Sequence, residues 1–548
     1  MKVMQLTDFD EVWLVTFTSE QIPGEQPKPT CLKATEYHTG RILRLQKHEL
    51  ASPGPPYSLG TNTLFVAFDA PAALGCHLAF GWPLPARVLD LHAEFRCLTS
   101  GLTVPGDYDL PKAIAHFGVD GDDEGALAKL LTAMLPHLDL PRAILLRGRY
   151  TAAVARMEAV GVPIDMPSYR RLRDGWQRIQ DDLIKEVDHT FGVYQNGRFN
   201  PRRWKAWLNR QGIPWPRRAP GRLDLQLVTF RDVASAYPEI GPMKELRASL
   251  SQMRLFGLAV GSDGRGRCSL RPFSSKTGRN QPRSREFIFG PAVWLRGLIK
   301  PPKGMALAYL DYEQQEFGIA AALSGDQAMQ EAYRSGDPYL AFAKQAGAVP
   351  PNATKATHRD ERERFKHCAL GVQYGMGAVS LALRLGISVA EARELLRLHR
   401  QTYPTYWRWS KEVGRVARRE GRLQAAFGWA LHVAPKANPR SLRNFPLQAN
   451  GAEMLRLACM ALTEEGVRIC APVHDALLIE APSGDIERVV AVAKRVMRWA
   501  SQQVLQEFPL RAESKVVQFP ERYMDPRGKE MWDRVFGLLD RHPEARCA

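Results

Sequence analysis

The sequence has no apolar run approaching the roughly 18 residues of a spanning helix, which argues against a helical membrane protein. Its first residues, MKVMQLTDFDEVW, lack a basic segment followed by an apolar core, so no secretory signal is expected. Cysteine is sparse: eight residues, at positions 31, 76, 97, 268, 368, 459, 470 and 547, with no CxxC spacing. That argues against a paired-cysteine zinc site or a disulfide framework and predicts reduced thiols in the cytoplasm. No internal repeat or low-complexity tract stands out, and a chain 45% hydrophobic and 24% charged is neither fibrous nor disordered. At 548 residues it should divide into about three or four domains.

What the sequence has in excess is positive charge. It carries 75 Lys+Arg against 58 Asp+Glu, a net of +17. That excess favours a polyanionic partner, either nucleic acid or an acidic membrane surface. The excess is uneven: residues 1–140 net −7, residues 141–300 net +17 and residues 301–548 net +7. The middle segment is therefore expected to lie along a phosphate backbone. Residues 1–140 alternate short apolar runs (Val12–Phe17, Asn62–Phe68, Arg87–Leu91) with the helical spacing of Ala126–Leu135, as a small α/β domain would. From Arg147 the pattern turns helical through about residue 270, including a basic helix over Met243–Leu258. Residues 271–548 mix strands with long helices.

Two aspartates stand out in that last part. Met305–Leu310 reads as a buried strand that delivers Asp311, followed by a helix over Glu313–Leu323. Far downstream, Val467–Pro472 and Ala476–Ala481 read as two strands joined at a tight turn holding His474 and Asp475. An aspartate after an apolar strand is usually a turn or helix cap. Two such residues on strands of one sheet would form a pair able to hold two metal ions for phosphoryl transfer. Between them, Arg362, Lys366, Leu370 and Tyr374 recur every four residues, along one slowly drifting helical face. Cations at one end suit a triphosphate and a flat apolar surface at the other suits a base pair; a plain amphipathic helix with a solvated basic end has the same spacing.

Taken together these blocks resemble the family A, bacterial polymerase I-like, DNA polymerases. DYEQQEFG resembles motif A; Arg362, Lys366, Tyr374 and Gly375 resemble motif B; Val473-His474-Asp475 resembles motif C. Thr277-Gly278-Arg279 resembles a segment that contacts the primer-template. Arg440, Asn444 and Gln448 resemble the block that reads the minor-groove side of the nascent pair. Five motifs in the family's order span about 200 residues. Upstream, Met157–Asp165 and Arg198–Asn200 resemble the region near the thumb.

The resemblance implies an α+β multidomain protein: a right-hand polymerase fold of palm, fingers and thumb, preceded by a ribonuclease H-like α/β domain. The implied divisions are 1–140 for the exonuclease-like domain, 141–270 for the helical thumb region and 271–548 for palm and fingers. Asp311, Asp475 and the carbonyl of Tyr312 are the implied ligands of two Mg²⁺ ions, with Mn²⁺ a substitute. Glu316 matches the gate against a 2′-OH. Arg362 and Lys366 match the phosphate-binding cations, Lys366 also a proton donor to pyrophosphate. Leu370 falls on the nucleotide face of the helix, and Tyr374 matches the residue near the templating base. Arg279, Arg440, Asn444, Gln448 and His474 match DNA contacts at the primer end. There are departures: Leu370 replaces a common aromatic, Gly318 a common Arg, Tyr339 a common His, and Ala476 the glutamate that often follows motif C. That last change implies no third carboxylate there.

In residues 1–140, the acids of a 3′–5′ exonuclease are largely missing. Thr16 and Thr18 stand where a D-x-E belongs, Ala73 at the likeliest second acidic position with Asp69 nearby, and Val119 four residues before Asp123. Asp90 reads as a cap to the following strand. Hydroxyls do not replace carboxylates around divalent ions, so this domain is expected to lack proofreading. The expected protein is a monomeric, cytoplasmic, template-directed DNA polymerase that takes primer-template DNA and dNTPs, with no membrane partner; replisome proteins are a conceivable partner class. The alternative is a catalytically slow scaffold or end-protection protein with a polymerase-like body.

Overall fold

The computed structural model describes residues 4–541 apart from 51–53, 105–107, 120–124, 220, 254–256 and 291. Near the N-terminus a five-stranded sheet runs in the order Ile42–Gln46, Lys28–Glu36, Glu11–Glu20, Thr63–Ala67, Val88–Asp90. The strand Glu11–Glu20 pairs antiparallel with Lys28–Glu36 and parallel with Thr63–Ala67. Thr63–Ala67 is buried at every position, as a parallel strand covered on both faces must be. Lys28–Glu36 and Ile42–Gln46 are interrupted by polar and charged residues and did not read as apolar runs, yet they form the antiparallel flank of the sheet. Asp90 caps no strand. Its carboxylate accepts from the N–H groups of His92 (3.0 Å) and Ala93 (3.3 Å), capping the helix Leu91–Thr99. Ala73 lies buried within the helix Ala70–Ala79, so the acid nearest the end of Thr63–Ala67 is Asp69. Asp123 falls outside the described residues.

The helix Arg149–Val160 belongs to two cores at once. Ala152 and Ala155 pack under the N-terminal sheet, while Tyr150, Ala153, Val154 and Met157 pack into the palm. Small residues permit this; at Gly148 a Cβ would fall 1.8 Å from the carbonyl oxygen of Val88.

The helical middle is built on the long helix Met166–Phe191 and an aromatic cluster in which Trp204 stacks on Trp207 at 5.1 Å. The basic helix there spans Gly241–Met253. The helix Lys529–Asp540 returns to pack on Met166–Phe191, where Gly175 lets Leu539 approach.

The palm is a four-stranded antiparallel sheet in the order Arg468–Val473, Ala476–Pro482, Met305–Tyr312, Ala512–Gln518. Its core lies against the 26-residue helix Pro439–Glu464 and the helix Ile486–Val504. A set of helices between Gln315 and Glu420 occupies the expected fingers; among them Arg359–Gln373 ends on Tyr374, which donates to Glu316 just after the strand Met305–Tyr312. Among the described residues no helix is long and apolar enough to cross a membrane. The seven described cysteines are all free thiols; Cys547 lies outside the described residues.

Candidate active site

The sheet register brings the two aspartates together. Asp311 lies inside the strand Met305–Tyr312, one residue before its end, directly opposite Ala476. Asp475 immediately precedes Ala476, in a two-residue turn whose other member, His474, has φ = 59°. Directly opposed residues of an antiparallel pair lie about 4.5–5.5 Å apart at Cα, so the two carboxylates must share one end of the sheet. Burial lifts Asp311 to about 7, with the charges of Asp475 and then Glu513 adding to it and the Tyr312 N–H opposing it. Burial also raises Asp475, against the lowering influence of Arg279 and His474. Oδ1 of Asp311 is buried without a hydrogen-bond partner.

An orphaned oxygen and mutually repelling carboxylates are the electrostatic condition that a bound dication relieves. Hard oxygen donors suit Mg²⁺, which keeps several ligands from water or phosphate. Asp311 and Asp475 therefore fit such ions. Among the described residues no group of three or more His, Cys, Asp or Glu has metal-holding geometry, so two carboxylates would be the protein's main share.

Glu513, on the last palm strand, pairs with Asp311 from the opposite side to Ala476. Sequence reading looked for a third carboxylate only beside Asp475 and missed it; no local signal marks a residue that reaches the site by pairing across 200 positions.

Glu316 sits in the first turn of the helix Gln315–Ser324, and Tyr374 donates to its carboxylate at 2.8 Å. Burial raises both groups, Tyr374 to about 12 with help from Glu316. Tyr374 is the C-cap of Arg359–Gln373, so the drifting face ends on a residue just off the helix. Arg362 and Lys366 are not free: Arg362 pairs with Asp337 and Glu363, and Lys366 with Glu363 at 3.3 Å. The Arg362 guanidinium also lies over the Tyr339 ring. Leu370, half-buried, follows one turn on.

Arg279 is close enough to lower Asp475 and Glu316, and its Nε is buried without a partner. Arg440, Asn444 and Gln448 lie at successive turns of Pro439–Glu464, with the Arg440 chain packed on Gly375, whose φ of +66° favours glycine. His474 is exposed beside Asp475.

Two further residues went unnoticed in the sequence. Gln315 and Gln373, which flank Glu316 and Tyr374 in the chain, are buried with neither amide atom hydrogen-bonded. Gly318 has a packing reason: a Cβ there would lie 2.4 Å from Leu510.

Residues 290–518 match the family model described as DNA polymerase family A. DNA polymerase I, thermostable, of Thermus caldophilus is 26% identical over 379 residues, which is 63% of this chain and 44% of that protein. DNA polymerase I of Aquifex aeolicus is 23% identical over 416 residues, 73% of this chain and 70% of that protein. The chain thus spans less than half the length of the Thermus caldophilus relative. Among solved structures, the POL domain of Pol1 from M. smegmatis, in complex with DNA primer-template and dNTP, superimposes with a TM-score of 0.74. That comparison covers 92% of this chain and 94% of that one at 18% identity. The matched stretch, residues 290–518, holds Asp311, the helix Arg359–Gln373 and Asp475, and over it this chain is similar to DNA polymerase family A.

Proposed function

We propose that the protein is a template-directed, primer-dependent DNA polymerase that adds dNTPs to a DNA 3′-OH and does not proofread. The observation that carries this reading is the half-buried Asp311–Asp475 pair at one end of the palm sheet, with an orphaned oxygen and two cations on the helix Arg359–Gln373. A binding scaffold gains nothing from inward carboxylates, which repel the backbone it must hold.

Asp311, Asp475 and the Tyr312 carbonyl would hold two Mg²⁺ ions, for which Mn²⁺ substitutes. Bound there, the ions would lower the pKa of the primer 3′-OH and neutralise the triphosphate. Arg362 and Lys366 take the β- and γ-phosphates, releasing Asp337 and Glu363 from their present ion pairs. Lys366 gives a proton to the departing pyrophosphate. Glu316 occupies the place of a ribose 2′-OH, while Leu370 and Tyr374 offer the apolar face against which the new base pair sits. Arg279, Arg440, Asn444, Gln448 and His474 contact DNA near the primer end. The basic region 141–300 carries the duplex.

The N-terminal sheet has Thr16 and Thr18 on its central strand and Asp90 committed to a helix cap, which supports the absence of proofreading. The test is extension of a labelled primer on a DNA template with Mg²⁺ and dNTPs. Extension by the wild type, lost in Asp475→Asn, is expected. Extension unaffected by that substitution, or none by the wild type, sinks the proposal.

A further inference from the structure

The loop 271–279, which delivers Arg279 to the cleft, is held in a conformation that its own residues disfavour. Arg271 (φ = 47°) and Phe273 (φ = 59°) are non-glycine residues in the left-handed region, and Gly278 (φ = 74°) follows. Such backbone persists only where its surroundings over-determine it.

Those surroundings come from the palm side, where Phe273 stacks on Trp429 at 5.4 Å, and from the N-terminal domain. Arg96, on the helix Leu91–Thr99, donates Nε to the Phe273 carbonyl at 2.8 Å and Nη2 to the Ser274 carbonyl. Its guanidinium plane is fixed by stacking on Tyr108 at 4.0 Å. Ser100 donates to the Lys276 carbonyl at 3.2 Å, and Trp429 donates to the same oxygen at 3.0 Å. Arg456, in the helix Pro439–Glu464, donates to the Gly278 carbonyl at 2.6 Å. The strand pair Arg422–Gln424 and Ala430–His432, which carries Trp429 in its turn, is itself clamped to the same helix end. There His432 N–H donates to the Ser100 carbonyl at 2.8 Å. Gly101 permits that approach; with φ = +90°, a Cβ there would fall 2.2 Å from the His432 oxygen.

We infer that the N-terminal domain acts as a brace for the primer-template loop, and that Arg96 is the positioning residue through which it aims Arg279. The inference rests on the polymerase reading and gives a use to a domain whose negative charge and missing acids suit neither DNA binding nor hydrolysis. Arg96 touches no substrate. It fixes two carbonyls of a strained loop, and a planar fork does so better than a single ammonium. Losing that fork lets the loop relax and Arg279 wander, which weakens primer-template binding before it slows the chemistry.

The experiment measures the dissociation constant of a fluorescent primer-template, the DNA KM and kcat of extension, and Tm, for the wild type, Arg96→Ala, Arg96→Lys and Tyr57→Phe. Tyr57 donates to or accepts from His77 in the core under the N-terminal sheet, away from this seam. Arg96→Ala should raise Kd and KM for DNA about tenfold with kcat within about twofold, and Arg96→Lys about threefold. Tyr57→Phe should lower Tm while leaving Kd and KM unchanged. An unchanged Kd in Arg96→Ala overturns the brace. So does an equal rise in Kd in Tyr57→Phe, since general loosening of the domain would then explain both. If the wild type binds but never extends, the polymerase reading fails while Kd still tests the brace.

Discussion

Two sheets in this chain each carry a close pair of aspartates at strand ends, and the pairs have opposite fates. In the palm, burial raises both Asp311 and Asp475, and the charge of Asp475 raises Asp311 further, yet both remain partly exposed, with the Arg279 cation acting on Asp475. In the N-terminal sheet, Asp69 and Asp90 are raised in the same way, Asp90 to about 8, first by burial and then by Asp69. Each pair even has one buried carboxylate oxygen without a partner. The difference is access and employment. Asp90 is 1% exposed and its other oxygen caps a helix, so a hydrated dication cannot reach it. A carboxylate pair with raised pKa is therefore only a candidate site; an open approach and opposing cations decide its use.

That contrast can be broken in four ways, from the largest expected effect to the smallest. Asp311→Asn should cut kcat by about a thousandfold or more while leaving primer-template affinity within about threefold; the check is single-turnover extension beside equilibrium binding. A similar loss in Asp90→Asn would erase the distinction between the two pairs. Primer-template affinity should fall by about a hundredfold or more between about 50 and 200 mM salt, because the basic middle region releases counterions on binding. Fluorescence anisotropy reads this, and a flat salt response would remove the duplex from residues 141–300.

Asp90→Asn keeps the cap and removes the buried charge. A folded pKa of about 8 against about 4 unfolded means the native state loses stability as pH rises between those values. The substitution should then raise Tm by about 2–4 °C at about pH 8 and by almost nothing below about pH 4. Calorimetry at both pH values decides it. Smallest, Gln373→Leu removes an unpaired buried amide and should stabilise the fold by about 1 kcal/mol; urea unfolding would show a loss instead if the amide has a structural partner.

Much of the palm and of the fingers helix was legible because their signals are local. An apolar strand ending in Asp311, a turn at His474-Asp475 and a four-residue period through Lys366 each lie within a dozen residues. The strands Lys28–Glu36 and Ile42–Gln46 were illegible because polar and charged residues break each into pieces too short to stand out as an apolar run. Glu513, the Arg96 seam and the buried glutamines were illegible for another reason. Each depends on contacts between segments more than a hundred residues apart, or on burial that no single window reveals. Asp90 was legible as a cap, but a short apolar run gave no sign that a helix followed.

The most direct test of the account uses one labelled primer-template, incubated with the protein and Mg²⁺ first without dNTPs and then with them. The account predicts a primer of unchanged length in the first interval and full template-dependent extension in the second. Primer shortening before dNTPs are added, or no extension after, would contradict it.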